Sequence, residues 1–278
     1  MTRILRTRAE LREALEGAAR PVGLVPTMGW LHAGHRALMA RARADDVTTV
    51  VSIFVNPRQF GDPADLDRYP RNEARDIEIC TAEGVDLVFA PPVGEIYPPG
   101  FDTAVTPGAI ARPLEGAARP GHFDGVATVV AILFDLVLAE HAYFGQKDAQ
   151  QILVIRRMAA DLAIPTEVVA CPTVREADGL ALSSRNVHLS PAERAAAPVV
   201  RQALLAARDR WVAGERSAAA LRAAMLDVLA REPRADVEYV SCADGATLAE
   251  LEQVSGPALL SLAVRFGTTR LIDNEPLA

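Results

Sequence analysis

The sequence predicts an α/β fold, a Rossmann-like doubly wound parallel sheet followed by a smaller α+β C-terminal domain. Apolar, β-branched runs alternate with helix-period stretches through roughly the first 170 residues. One of them, Val50-Val51-Ser52-Ile53-Phe54-Val55, is apolar almost without alternation, as a strand covered on both faces should be. The polar and glycine-bearing loops Pro26–Gly34, Asn56–Tyr69 and Gly145–Asp148 each follow a predicted strand, where ligands of open α/β sheets collect.

In chain order, Leu11–Ala19 reads as a helix and Val22–Val25 as a buried strand. The run PTMGWLHAGH, Pro26 to His35, then makes a turn into a helix over Gly34–Ala44. Such a junction aims backbone N–H groups at an anion, and His32 and His35, three apart, should share one face of the first turns. Val47–Val55, Val85–Phe89, His141–Phe144 and Thr166–Val169 are the further strands. Ala74–Ala82, Val126–Leu138 and Ala149–Leu162 are the helices between them. Pro91–Gly125 is Pro/Gly-rich and far longer than an ordinary connection, which suits a binding loop or a surface excursion.

The sheet pattern stops near Cys171-Pro172-Thr173, dividing the chain into domains 1–173 and 174–278. Arg175–Leu189 is too polar to be only a linker. Ser190-Pro191-Ala192-Glu193 is a capping box with proline at the first helical position, opening a helix expected to reach about Val212. Ser217 caps another through Leu229, and Val237–Cys242 and Leu259–Phe266 read as an edge strand and a more buried one.

Half of the 278 residues are hydrophobic, and the most apolar stretch, Val126–Leu138, is too short to span a bilayer. A net charge of −7 offers no polybasic surface for nucleic acid or anionic lipid. The start, Met1-Thr2-Arg3-Ile4, has no apolar signal core before Arg6, Arg8 and Glu10, so secretion is not expected. Cys80, Cys171 and Cys242 match no metal pattern and suit a reduced cytoplasmic compartment.

Three clusters could carry chemistry. His32 and His35 could be a metal pair, an acid/base pair or phosphate donors, or one could be structural; no HExxH or paired-cysteine pattern supplies further zinc ligands. Lys147 is a compact cation suited to phosphate oxygens, and Asp148 beside it could accept from a ribose hydroxyl or cap the following helix. Ser183-Ser184-Arg185-Asn186 could close over a triphosphate or be a solvated turn. Neither GxxxxGK[ST] nor GxGxxG is present, so P-loop and dinucleotide enzymes are disfavoured and adenylate chemistry, which needs alignment and charge stabilisation, is favoured.

With these clusters stand further segments: Val25–Gly29, His32–His35, Ser52–Pro57, Gln59-Phe60, Arg68–Arg71, Leu114–Gly116, Arg119–Phe123, Phe144-Gly145, Lys147-Asp148, Asp178–Asn186 and Arg270–Asn274. Almost end to end, they resemble the pantoate–beta-alanine ligase family of the HxGH nucleotidyltransferase superfamily. The resemblance implies ATP, Mg²⁺, (R)-pantoate and β-alanine as reactants, a pantoyl adenylate intermediate, and pantothenate, AMP and pyrophosphate as products. It implies a cytoplasmic homodimer that binds neither nucleic acid nor membrane. By motif, Pro26, Thr27 and Met28 would lie at the nucleotide, with His32 and His35 on its phosphates. Lys147, Ser183, Ser184 and Arg185 would orient and neutralise those phosphates. Gly145 and Asp148 would contact adenosine and Val174 adenine, while Gln59 and Gln151 would hold pantoate. The Leu114–Phe123 loop, with Arg119 and His122, would help cover the cleft. No protein metal ligand is implied. Three positions depart from the family pattern: Gln146 for glutamate, Ala149 for an aromatic and Arg58 for methionine. A nucleotidyltransferase that keeps its adenylated product, or a non-catalytic nucleotide-binding relative, are the alternative readings.

Overall fold

A computed structural model describes residues 1–61 and 63–278; Asp62, in the expected loop Asn56–Tyr69, lies outside the described residues. The chain forms two compact units, one of Met1–Gly145 with Gln150–Pro172, the other of Gln146–Ala149 with Thr173–Ala278.

The first unit is a six-stranded parallel sheet in the order β1-β4-β3-β2-β5-β6. Its strands are β1 (Arg3–Leu5), β2 (Val22–Thr27), β3 (Thr48–Ile53), β4 (Leu87–Phe89), β5 (His141–Gly145) and β6 (Glu167–Cys171). The helices among them are α1 (Arg8–Glu16), α2 (Ala33–Asp45), α3 (Pro63–Arg68), α4 (Glu73–Ala82), α5 (Val93–Ile96), α6 (Glu115–Ala118), α7 (His122–Val137) and α8 (Ala149–Asp161). Successive residues of one strand serve two cores. Leu24, Val50, Phe89 and Phe144 join Leu133, Phe134 and Ile155 in one. Val25, Val51, Val88 and Tyr143 join Leu38 and Met39 in the other. That two-sided burial is why the strand sequences lack polar alternation. The strand order reverses at β2, with β3 on one side and β5 on the other, so the turn after β2 lies at the topological switch point of the sheet.

The second unit packs helices α9 (Pro191–Ala196), α10 (Val199–Val212) and α11 (Ala218–Leu229) with an antiparallel sheet β7 (Asp236–Asp244), β8 (Ala258–Phe266) and β9 (Thr269–Leu277). Leu204, Leu221 and Met225 meet Leu260, Leu262 and Phe266 in its core. The Ser190–Glu193 capping box forms as expected, Ser190 N–H donating to Glu193 Oε2 at 2.8 Å. The single helix expected to run to Val212 is corrected to two, because Pro198 has no N–H and begins α10 instead of continuing α9.

A polar cluster is buried where β5 begins. Asp46, its carboxylate fully buried, accepts from His141 Nδ1 at 2.6 Å and from the Tyr143 hydroxyl at 2.5 Å. Gly23 permits this approach, since a Cβ there would lie 2.9 Å from Asp46 Cγ. The hydrogen bond to Asp46 raises the His141 pKa above the usual imidazole value. A raised folded pKa gives stability that is fully present below about pH 6.5 and is lost as pH rises through the folded value. His141→Gln should therefore lower the urea midpoint more at about pH 6 than at about pH 9. A midpoint difference that is constant across that range would refute the linkage.

Candidate active site

The turn between β2 and α2 is built on an unusual backbone. Gly29 and Trp30 follow one another with φ of 78° and 52°, a left-handed pair that costs about 1–3 kcal/mol at the tryptophan. Asp76 of α4, 1% exposed, holds it: Oδ2 accepts from Trp30 N–H at 2.7 Å and Oδ1 from Leu31 N–H at 2.8 Å. Arg75 adds its guanidinium over the Trp30 ring, 5.3 Å from the centroid. Gly29 is required twice over, by its positive φ and because a Cβ would come within 2.9 Å of Asp76 Oδ2.

His32 is the cap of α2 and not a residue of its first turn, and the two histidines form a reciprocal capping box. Gly34 N–H donates to His32 Nδ1 at 3.1 Å, and His32 N–H donates to His35 Nδ1 at 3.2 Å. The rings lie 4.1 Å apart between centroids. With each Nδ1 an acceptor, the proton of each neutral ring belongs on Nε2, so both rings are donors on that side.

Gln59 sits in the short 3₁₀ turn Pro57–Gln59 after β3. Asn56, 1% exposed, organises that turn. Its Nδ2 donates to Gln59 Oε1 at 2.9 Å and to Gly125 O at 3.0 Å; its Oδ1 accepts from Arg58 N–H at 3.2 Å and from the Tyr97 hydroxyl at 2.8 Å. Burial pushes the Tyr97 phenol up to about 12, keeping it a donor. Gln59 Nε2 meets Met28 Sδ at 3.1 Å, bringing the pantoate candidate to the β2 turn. The backbone of Gln59 accepts from His122 Nδ1 at 2.9 Å and from Arg119 Nη2 at 3.3 Å. Arg119 Nη1 lies 3.2 Å from His122 Nε2. The Leu114–Phe123 segment therefore braces Gln59, so the long Pro91–Gly125 stretch is not a mere surface excursion. Gly125 of α7 allows the close packing, because a Cβ there would lie 2.6 Å from Gln59 N.

Arg58 proves to be engaged elsewhere. Its guanidinium lies over Tyr97 and Phe101, 5.5 and 5.2 Å from the centroids, and donates to Thr103 O at 3.3 Å. On α8, Gln150 donates to Ile110 O and Pro113 O and accepts from Glu115 N–H, tying that same long stretch to the helix that carries half-buried Gln151. Pro26 and Thr27 end β2, and Thr27 Oγ1 accepts from Gly29 N–H at 3.1 Å.

Gly145 ends β5 in the first unit, and the remaining candidates belong to the second. Lys147 and Asp148 lie in the 3₁₀ turn Gln146–Asp148, with Lys147 Nζ 3.7 Å from Asp148 Oδ1. Asn274 Nδ2 donates to Gln146 O at 2.8 Å and Lys147 O at 2.9 Å, and Gln146 Nε2 donates to Asn274 Oδ1 at 3.1 Å. The last bond explains how glutamine serves at 146, since a carboxylate there could not donate. Ala149 is buried, which leaves little room for an aromatic at that position. Val174 accepts from Leu182 N–H at 3.0 Å across a hairpin whose turn, Asp178-Gly179, uses φ of +91° at the glycine. Ser183 caps the turn Ser184–His188, its hydroxyl accepting from Arg185 N–H at 3.2 Å. Arg194 fixes the hairpin through Glu176 and Asp178, both at 2.6 Å.

Asp76, Asn56 and Asn274 had no assigned role in the sequence. Asn56 alone carried a local signal, an asparagine cap before a proline at the first helical position. Asp76 and Asn274 act on segments distant in sequence.

A family model described as Pantoate-beta-alanine ligase matches residues 3–276. A pantothenate synthetase of Roseiflexus sp. (strain RS-1) is 60% identical over 272 residues, covering 98% of each chain. A crystal structure of pantothenate synthetase from Thermus thermophilus is similar with a TM-score of 0.94 and 51% identity over 98% of both chains. A pantoate-beta-alanine ligase from Francisella tularensis, complexed with beta-gamma ATP and beta-alanine, has a TM-score of 0.80 and 31% identity, covering 99% of this chain and 97% of that one. The chain belongs to the pantoate–beta-alanine ligase family, the enzymes that form pantothenate from pantoate and β-alanine.

Proposed function

We propose that the ligation runs through a pantoyl adenylate. The carboxylate of (R)-pantoate attacks the α-phosphorus of ATP and pyrophosphate leaves; the amine of β-alanine then attacks the acyl carbon and AMP leaves. The observation that carries this reading is the reciprocal histidine cap at the switch-point turn, which sets two imidazoles 4.1 Å apart at a helix N-terminus, a place that favours an anion.

In the first unit, His32 and His35 donate to phosphate oxygens, with Pro26, Thr27 and Met28 beside the nucleotide and Gly145 at adenosine. Gln59 and Gln151 hold pantoate. The carboxamide of Gln59 is turned by Asn56, and its nitrogen carries a second hydrogen for a pantoate oxygen. In the second unit, Lys147, Ser183, Ser184 and Arg185 neutralise and orient phosphates, Asp148 accepts from the ribose, and Val174 lies against adenine. The turns are held by their own hydrogen bonds, so little reorganisation is left for the moment charge develops.

Mg²⁺ belongs to the same proposal, entering with the triphosphate. Among the described residues no group of three or more His, Cys, Asp or Glu is gathered to hold a cation. An ion held by phosphate oxygens and water would reduce the charge facing the attacking carboxylate. No side chain is assigned to it. The family likeness also brings a homodimer, a cytoplasmic location and the division of labour between 1–173 and 174–278 into the proposal. No helix among the described residues is long and apolar enough to cross a membrane.

Three outcomes test the route. Pantoate, β-alanine and Mg-ATP should yield pantothenate, AMP and pyrophosphate, and without β-alanine the enzyme should still exchange labelled pyrophosphate into ATP when pantoate is present. Pantothenate formation with no such exchange under any substrate condition would exclude a reversible adenylate. Lys147→Ala should slow exchange about 10²- to 10³-fold with a melting temperature within a few degrees of the parent; comparable exchange in the two proteins would remove Lys147 from the phosphate site. Gly125→Ala should push the Pro57–Gln59 turn outward and raise the KM for pantoate about tenfold while leaving that for ATP nearly unchanged. Equal changes in both constants would contradict a pantoate-specific role for that turn.

A further inference from the structure

The turn that carries Lys147 is short, and a 3₁₀ turn of three residues has no internal ladder to fix it. Its two leading carbonyls, Gln146 O and Lys147 O, are instead gripped by one amide nitrogen, Asn274 Nδ2, at 2.8 and 2.9 Å. Asn274 is 4% exposed and stands on β9 opposite Ser261 of the central strand β8, so its backbone is anchored in the second unit's sheet. Its carboxamide has little freedom to rotate. Oδ1 accepts from Gln146 Nε2, so a flip would set the Asn274 amide nitrogen against that of Gln146 and the one Asn274 oxygen against both carbonyls. The preceding residue extends the anchor: Asp273 accepts from Asn274 N–H at 2.8 Å and pairs with Arg175 at 2.6 and 3.0 Å. Arg175 in turn donates to Gly179 O in the hairpin that leads to Ser183.

We propose that Asn274 is a positioning residue for catalysis, holding the Gln146–Asp148 turn so that the Lys147 ammonium meets the phosphates in one place. The inference rests on the phosphate role assigned to Lys147 above. Removing the two donations leaves the backbone fold of β9 intact but lets Lys147 wander, and misplacement by about 1 Å is enough to cost on the order of 100-fold in rate.

The test is a double-mutant cycle on pantoate-dependent pyrophosphate exchange, with the folded fraction of every variant measured by its thermal transition. Asn274→Ala should slow exchange about 10- to 100-fold while the KM for pantoate stays within about twofold, and in the Lys147→Ala background the same substitution should change the rate by less than about twofold. That non-additivity is what a merely structural role would not produce. If Asn274→Ala exchanges like the parent, or if its effect is undiminished when Lys147 is already absent, the proposal is overturned. Parent-like exchange by Lys147→Ala alone would remove the reading beneath it and the proposal with it, an outcome distinguishable from the previous two. Should Asn274→Ala lose its cooperative transition, Gln146→Leu takes its place in the cycle. There Asn274 keeps both carbonyls but loses the bond that orients its amide, so a slowing of about threefold or more that vanishes in the Lys147→Ala background is expected, and an unchanged rate overturns the proposal.

Discussion

Asp76 is the point on which the turn between β2 and α2 depends. A turn with consecutive left-handed residues at Gly29 and Trp30 is locally unfavourable, and of its N–H groups only that of Gly29 is held locally, by Thr27 Oγ1, while those of Trp30 and Leu31 are held by Asp76. Two hydrogen bonds from backbone N–H groups to a buried carboxylate, each worth about 1.5–3 kcal/mol, offset a strain of about 1–3 kcal/mol. With the turn fixed, Leu31 drops into the core and His32 arrives at the cap of α2. The paired imidazoles follow from that entry angle. Removing Asp76 leaves two N–H donors without their acceptor and the left-handed pair without support.

A second centre, Asn56, organises the turn after β3 by the same logic of full satisfaction. Its one carboxamide is bonded to the side chain of Gln59, the backbone of Arg58, the carbonyl of Gly125 and the hydroxyl of Tyr97, so four separate groups are referred to one buried side chain. Buried polar networks are stabilising only when each member is paired, and this one is. The cation at Arg58 strengthens it from outside by stacking on Tyr97 and Phe101.

The sheet was legible in the sequence because burial on both faces writes itself as uninterrupted apolar runs, and β2, β3, β5 and β6 lie where those runs are. β1 was not, since Arg3-Ile4-Leu5 is too short to show a period. Nor was β9, whose Arg270, Asp273, Asn274, Glu275 and Pro276 look like a loop; it pairs because the Gly267-Thr268 hairpin returns it along β8. The candidate residues His32, His35, Gln59 and Lys147 stood out through type and motif. Those that hold them did not, because the partner of a backbone N–H or carbonyl is chosen by the fold and leaves no local mark: Asp76 lies 46 positions from Trp30.

The hydrogen bonds between Asn274 and the Gln146–Asp148 turn span 127 and 128 positions of sequence. During synthesis the turn leaves the ribosome long before its partner exists, although most of the parallel sheet around β5 can already close. A nascent or truncated chain could thus fold its first unit and still present Lys147 on an untethered turn. The Gln146–Asp148 turn acquires its side-chain anchor only when β9, the last strand of the second unit's sheet, has been made and has paired with β8.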